Sequence, residues 1–134
     1  MKNVFLDTNI LIDYVLGREH SDDAEQLLQH GQNGKVCLSA SYLTFANMAY
    51  IVKGKADIYS MLEYLHTLIR VLPNDDDQML AAIAQPVRDF EDMLQYQCAK
   101  AAGCDAIVTN NGRDFAGFCN IPVMTAEELL GQID

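Results

Sequence analysis

Asp7, Asp92 and Asp114 are the residues of this chain best suited to do chemistry. They lie far apart in sequence, each beside the end of an expected strand or helix. Their one obvious basic neighbour is Arg113, next to Asp114. Carboxylates brought within ~5 Å of one another repel by roughly 3 kcal/mol per pair at an effective dielectric of about 20. Such a cluster must take up protons or bind a cation. An all-oxygen donor set suits Mg²⁺ or Mn²⁺, and the histidine and cysteine spacing expected of zinc is missing. A hydrated ion held by a few carboxylates activates water and stabilises in-line displacement at phosphorus. Spacing alone does not make the acids converge; the elements that carry them must.

Val4, Phe5 and Leu6 read as a short buried strand, with Asp7 at its end and Thr8 and Asn9 in a turn. Ile10, Leu11, Tyr14 and Val15 then share helical spacing up to Gly17. Ligands of open α/β sheets sit just beyond the carboxyl ends of the strands, where Asp7 falls. A plain structural role is also open to Asp7, as N-cap of that helix. The second informative stretch is RDFEDMLQYQCAKAAGCDAIVTNNGRDF. Asp89 is expected to cap a helix running from near Phe90 to Ala102, stopped by Gly103. Glu91 and Asp92 fall in its first turn, where negative charge is stabilised without any further role. Ala106, Ile107 and Val108 read as another buried strand, followed at once by Thr109 and Asn110. Two buried strands thus end in small polar groups, as a site at the carboxyl edge of a parallel sheet requires.

The remaining elements alternate in type. Ser21 is expected to cap a helix with Ala24, Leu27 and Leu28 inward. Arg18 and His20 sit in the loop before it, and Arg18 meets phosphate if that loop overhangs the first strand. Val36 to Leu38 read as a strand, after which Ser39 or Ser41 opens a helix. On that helix Leu43, Asn47, Tyr50 and Ile51 fall on one side, expected to be buried. Asn47 there is either a hydrogen-bonded core amide or a water-mediated metal contact. Lys53, Gly54 and Lys55 form a turn, and Ile58, Met61, Leu62, Leu65 and Leu68 recur at helical spacing. Val71 and Leu72 suggest a strand ended by Pro73. Asp75, Asp76 and Asp77 read as cap and dipole partners of the next helix, since adjacent side chains do not converge. Pro122, Val123 and Met124 suggest the last strand, and Thr125 with Glu128 has capping-box spacing. The alternation predicts an α/β fold, a three-layer α/β/α sandwich with a mainly parallel central sheet.

A length of 134 residues fits one domain, 1–134, with a sizeable core. The net charge of −10 argues against a broad basic face for nucleic acid, although bound cations would neutralise part of an acid cluster. No apolar run is long enough to span a bilayer, and Asp7 and Asp13 interrupt any signal-like pattern, so a cytoplasmic location is expected. Cys37, Cys98, Cys104 and Cys119 form no C-x-x-C pair and are expected to be buried free thiols.

Taken together, FLDTNILID, DFEDMLQYQCAKAAGCDAIVTNNGRDF and IPVMTAEELL resemble the PIN-domain nucleases over nearly the whole chain. The resemblance rests on their order and spacing, since D-T-N alone is short. It implies a PIN-like fold and Mg²⁺- or Mn²⁺-dependent cleavage of RNA phosphodiesters, often by the toxin of a toxin–antitoxin pair. It makes Asp7 the first metal-binding acid, Asp92 the third and Asp114 the fourth, with Thr8, Thr109 and Asn110 as polar supports. Many members place a glutamate in the third helix as the second acid. Here the matching face offers Asn47, as the most similar subgroup often does. Weaker metal affinity than a four-acid site is therefore expected, and Asn47→Glu should tighten Mn²⁺ binding. Glu91 is a minor candidate, because its position turns it roughly 100° around the helix from Asp92. The family commonly dimerises and commonly binds a small antitoxin protein. A homodimer can gather Arg18, Lys53, Lys55 and Arg113 into a groove.

Two other readings compete. One is a catalytically impaired PIN-like module that binds RNA or a partner protein, motivated by Asn47 and the negative charge. The other is a phospho-accepting aspartate domain, disfavoured because Thr109 and Asn110, and no lysine, follow Val108.

Overall fold

The computed structural model describes residues 2–55 and 57–133. The strands are β1 (Asn3–Leu6), β2 (Cys37–Ser41), β3 (Ile69–Leu72), β4 (Ala106–Val108) and β5 (Val123–Met124). They form one sheet in the order β3-β2-β1-β4-β5, and every pairing is parallel. The central β1 is flanked by β2, with Val4 opposite Leu38, and by β4, with Leu6 opposite Val108. The expected α/β sandwich is therefore present.

The helices are α1 (Thr8–Leu16), α2 (Ser21–Gln32), α3 (Tyr42–Ile51), α4 (Ile58–Leu68), α5 (Asp76–Ile83), α6 (Phe90–Ala101), the single turn α7 (Arg113–Ala116) and α8 (Ala126–Leu130). Strand alternation sorts the core into two layers. Val4, Leu6, Ala106 and Val108 face one apolar cluster with Ile10, Leu11, Leu27, Leu28, Met48 and Leu65. Phe5 and Ile107 face the other, with Met93, Tyr96, Cys98 and Phe115. Helices α1 to α4 and α8 thus cover one face, and α5 to α7 the other.

Local signals explain the boundaries. Gly17, at φ 64°, ends α1 in the left-handed conformation that favours glycine. Ser41 caps α3 by accepting the Thr44 amide at 3.0 Å, and Asp75 caps α5 by accepting the Gln78 amide at 2.9 Å. Thr125 and Glu128 close both bonds of the capping box, at 3.0 and 3.1 Å.

Four expectations are corrected. Thr8 and Asn9 are already helical, because Asp7 starts α1 directly. Ser21 lies inside α2 and does not cap it; His20 precedes the helix at φ 72° with no side-chain cap bond. On α3 the buried residues are Thr44 and Met48, whereas Tyr50 is 80% exposed and Asn47 is half-buried. Apolar residues surround that helix, so its periodicity does not single out the inward side. Finally, only Cys98 and Cys104 are buried; Cys37 and Cys119 are partly exposed, and all four thiols are free. Among the described residues, no helix is long and apolar enough to cross a membrane.

Candidate active site

The parallel sheet places the ends of β1, β2 and β4 side by side, and the candidate site rises from them. Asp7 follows β1 and is only 7% exposed. The N-cap role foreseen for it is present. One carboxylate oxygen caps α1, accepting the Thr8 amide at 2.8 Å; the other accepts the Thr109 hydroxyl at 2.8 Å. Thr109 lies just past β4 and is fully buried. Its oxygen in turn accepts the Asn111 amide at 3.0 Å, which leaves the hydroxyl hydrogen for Asp7.

Asp92 enters from the first turn of α6, whose start is fixed by Asp89 accepting the Glu91 amide at 3.0 Å. Asp114 enters from α7. The acids act on one another through their charges. Burial pushes the Asp7 carboxyl up to about 6, against its two hydrogen bonds, with the charges of Glu91 and Asp114 adding to the rise. Asp92 is pushed up to about 7 by partial burial and then by the negative charges of Asp89, Asp7, Asp114 and Glu91. These acids thus sense one another, and among the described residues no ion pair within 4 Å relieves any of them.

Glu91 belongs to the same neighbourhood. Its carboxylate accepts the Asn47 amide at 2.6 Å, a bond between α3 and α6. Burial and Asp89 raise its affinity for a proton, and the Asn47 bond opposes them. Asn47 is therefore an anchor for an acid rather than a core amide.

Beneath the acids lies a neutral layer that the sequence reading missed. Gln95, one turn along α6 from Asp92 and 1% exposed, donates to Thr44 at 2.8 Å and to Thr8 at 3.3 Å. It accepts the Ser41 hydroxyl at 2.7 Å. Thr8 and Thr44 are hydrogen-bonded at 3.0 Å. The Thr8 side chain thus turns away from Asp7 and supports it only through its backbone. A polar residue three places after Asp92, on the same helical face, was the available signal for Gln95.

An open groove of about 810 Å³ runs beside the acids, lined by Arg88, Asp89, Phe90, Asp92, Arg113 and Asp114, among others. Arg88 joins the expected Arg113 there, and among the described residues neither pairs with an acid. Arg18 is not on this groove. It follows the nine-residue α1, which carries the chain about 14 Å away from Asp7, so the loop does not overhang the site. Asn110 lines an adjoining hollow with Asn111 and Arg113. Its buried Nδ2 has no hydrogen-bond partner among the described residues, leaving a donor at the end of β4.

The donors fit a hard divalent cation in kind: all are oxygens, they are jointly negative, and among the described residues the buried Asp7 makes no ion pair. Among the described residues, no three His, Cys, Asp or Glu side chains stand close enough to hold an ion without adjustment.

A family model described as the PIN domain matches residues 3–113. No curated protein matches the chain. Among solved structures, a chain of VapBC-1 from nontypeable Haemophilus influenzae is 20% identical, with a TM-score of 0.68 over 93% of this chain and 98% of that one. A chain of a toxin–antitoxin complex from Klebsiella pneumoniae is 21% identical, with a TM-score of 0.68 over 92% and 97%. VapC20 of Mycobacterium tuberculosis, described as a sarcin–ricin loop cleaving toxin, is 14% identical, with a TM-score of 0.67 over 87% and 95%.

Proposed function

The chain belongs to the PIN domain family, and from that premise we propose that it is a Mg²⁺- or Mn²⁺-dependent endoribonuclease, the toxin of a toxin–antitoxin pair. The observation that carries this reading is that the buried Asp7 and the half-buried Asp92 stand at the carboxyl edge of the sheet, their proton affinity raised by burial and then by acids that include Asp114, with no ion pair among the described residues to relieve them. In this reading residues 1–134 form one PIN-like domain.

Asp7, Asp92 and Asp114 would hold the ion. When bound, it supplies a nucleophilic water at neutral pH and charge stabilisation for displacement at phosphorus. The chain's own groups do the rest. Thr109 holds the Asp7 carboxylate in one orientation through its hydroxyl. Gln95 ties α6, and Asp92 with it, to the start of α1 and to the junction of β2 with α3. Arg88 and Arg113 offer positive charge to the RNA backbone along the groove, and Asn110 Nδ2 offers a donor to a phosphate oxygen or water.

The solved neighbours from Haemophilus influenzae and Klebsiella pneumoniae come from toxin–antitoxin assemblies, which supports a small antitoxin as partner. A homodimer remains part of the proposal.

The test is cleavage of a mixed RNA substrate by the purified protein with Mn²⁺, beside Asp7→Asn and Asp92→Asn. Cleavage by the wild type, lost in both folded variants, supports the nuclease. RNA binding without turnover at saturating Mn²⁺ favours the impaired binding module, the reading to which Asn47 gives weight.

A further inference from the structure

We propose that Phe90 is a base-stacking residue: an unpaired nucleotide of RNA sits in the groove with its base against the Phe90 ring and its phosphates toward Arg88 and Arg113. This rests on the nuclease reading above and adds to it how the substrate is gripped.

Phe90 is the first residue of α6, and Asp89 fixes that start by accepting the Glu91 amide at 3.0 Å. A phenylalanine ring gains much by burial, yet Phe90 is 45% exposed and belongs to neither apolar cluster. Tyr42, Tyr50, Tyr59 and Tyr64 are exposed as well. Of these five exposed rings, Phe90 is the one that lines the groove shared by Asp92 and Asp114. Phe118, which follows α7, also lines that groove. Its ring packs 5.6 Å from that of Tyr96 and 5.9 Å from that of Phe115, centre to centre, so the core braces it. The groove therefore combines one braced aromatic wall with one exposed ring.

The charges point the same way. Arg88 and Arg113 both line the groove, and among the described residues neither makes an ion pair. In a chain of net charge −10 this is a local exception to the overall sign. Guanidinium groups suit phosphate oxygens and position a strand without reading its sequence. A ring stacks on a base only if the base exposes its face, as it does in single-stranded RNA and not inside a duplex. A nucleotide is thus a ligand that uses both kinds of group, the π-face and the two arginines. Phe90 and Asp92 stand two residues apart, within one turn of α6, and line the same groove. A base held on Phe90 therefore keeps its strand beside the acids.

The experiment is binding of a short single-stranded RNA that carries a fluorescent adenine analogue, whose emission falls on stacking. It is run in Ca²⁺, with the strand checked as intact afterwards, and repeated with an abasic ribose-phosphate strand of equal length. The proteins are the wild type, Phe90→Leu, Phe90→Trp, and Tyr59→Leu of α4 as an exposed ring outside the groove. Thermal melting checks that each is folded. Phe90→Leu should bind the RNA at least about fivefold more weakly, the loss expected of one stacked base, and should quench the analogue less. Phe90→Trp should restore binding and quenching, and Tyr59→Leu should match the wild type. On the abasic strand, wild type and Phe90→Leu should bind alike. If Phe90→Leu binds and quenches as the wild type does while Mn²⁺-dependent cleavage persists, the stacking subsite falls and the nuclease reading stands. A loss in Phe90→Leu that is equally large on the abasic strand, or shared by Tyr59→Leu, also overturns the subsite. Wild-type protein that neither binds nor cleaves RNA overturns both readings together.

Discussion

The site has two storeys, and they obey opposite rules. The lower one, made of Thr8, Ser41, Thr44 and Gln95, is buried, uncharged and closed upon itself by hydrogen bonds. The upper one, made of Glu91, Asp92 and Asp114 around the rim of Asp7, is charged and has no basic partner among the described residues. Buried polar groups that are fully satisfied rigidify a fold; charges left facing one another demand something from outside. The contrast separates what holds the site from what the site is for. Asp7 alone belongs to both, capping a helix with one oxygen and facing the other acids as a charge.

The sharpest way to break the contrast is to neutralise Asp7. Asp7→Asn should lower RNA cleavage by at least about a hundredfold, as expected when a metal-supported centre loses its charge stabilisation. The melting temperature should change little, because an amide oxygen still caps α1 and one repulsive charge is gone. Melting curves beside a cleavage assay would check this; full activity would remove Asp7 from the chemistry.

The lower storey predicts the reverse pattern of causes. Gln95→Leu removes its three buried hydrogen bonds to Ser41, Thr8 and Thr44 and should cost about 1–3 kcal/mol in denaturant unfolding. It should also weaken Mn²⁺ binding, through displacement of α6, by about tenfold.

A gentler probe is pH. Asp7 and Asp92 hold protons more tightly folded, at about 6 and about 7, than at the ordinary 3.8 of an unfolded chain. Their contribution to stability is full below 3.8 and is lost as pH rises through about 6 and 7. Metal-free protein should therefore melt progressively lower across that window. Added Mn²⁺ should flatten the trend by favouring the ionised acids. A flat metal-free profile would mean that the acids do not strain one another.

The smallest effect is expected far from both storeys. Thr125→Ala removes one arm of the α8 capping box and should cost about 1 kcal/mol, with cleavage unchanged.

The sequence made the sheet and the three aspartates legible for a simple reason. Short apolar runs such as Val4–Leu6 and Ala106–Val108, each ended by a polar residue, fit little besides a buried strand in an alternating α/β pattern. The acids could then be assigned to strand and helix ends. What escaped was contact between elements. Gln95 drew no attention, because a polar side chain in a helix is normally solvated, and only the hydroxyls of Thr8, Ser41 and Thr44 make it an inward one. Glu91 was ranked only a minor candidate by its angle from Asp92, which is correct within α6 but silent about Asn47 on α3. Thr44 was overlooked for the same reason as Gln95, and α7 is too short for any periodicity.

The strict alternation of β1 has an evolutionary consequence. Val4 and Leu6 belong to one core and Phe5 to the other, over a strand of four residues that ends beside Asp7. Inserting or deleting a single residue there would exchange the two cores and turn the carboxylate to the opposite side. A longer surface loop costs little by comparison, so β1 accepts substitution far more readily than any change in its length.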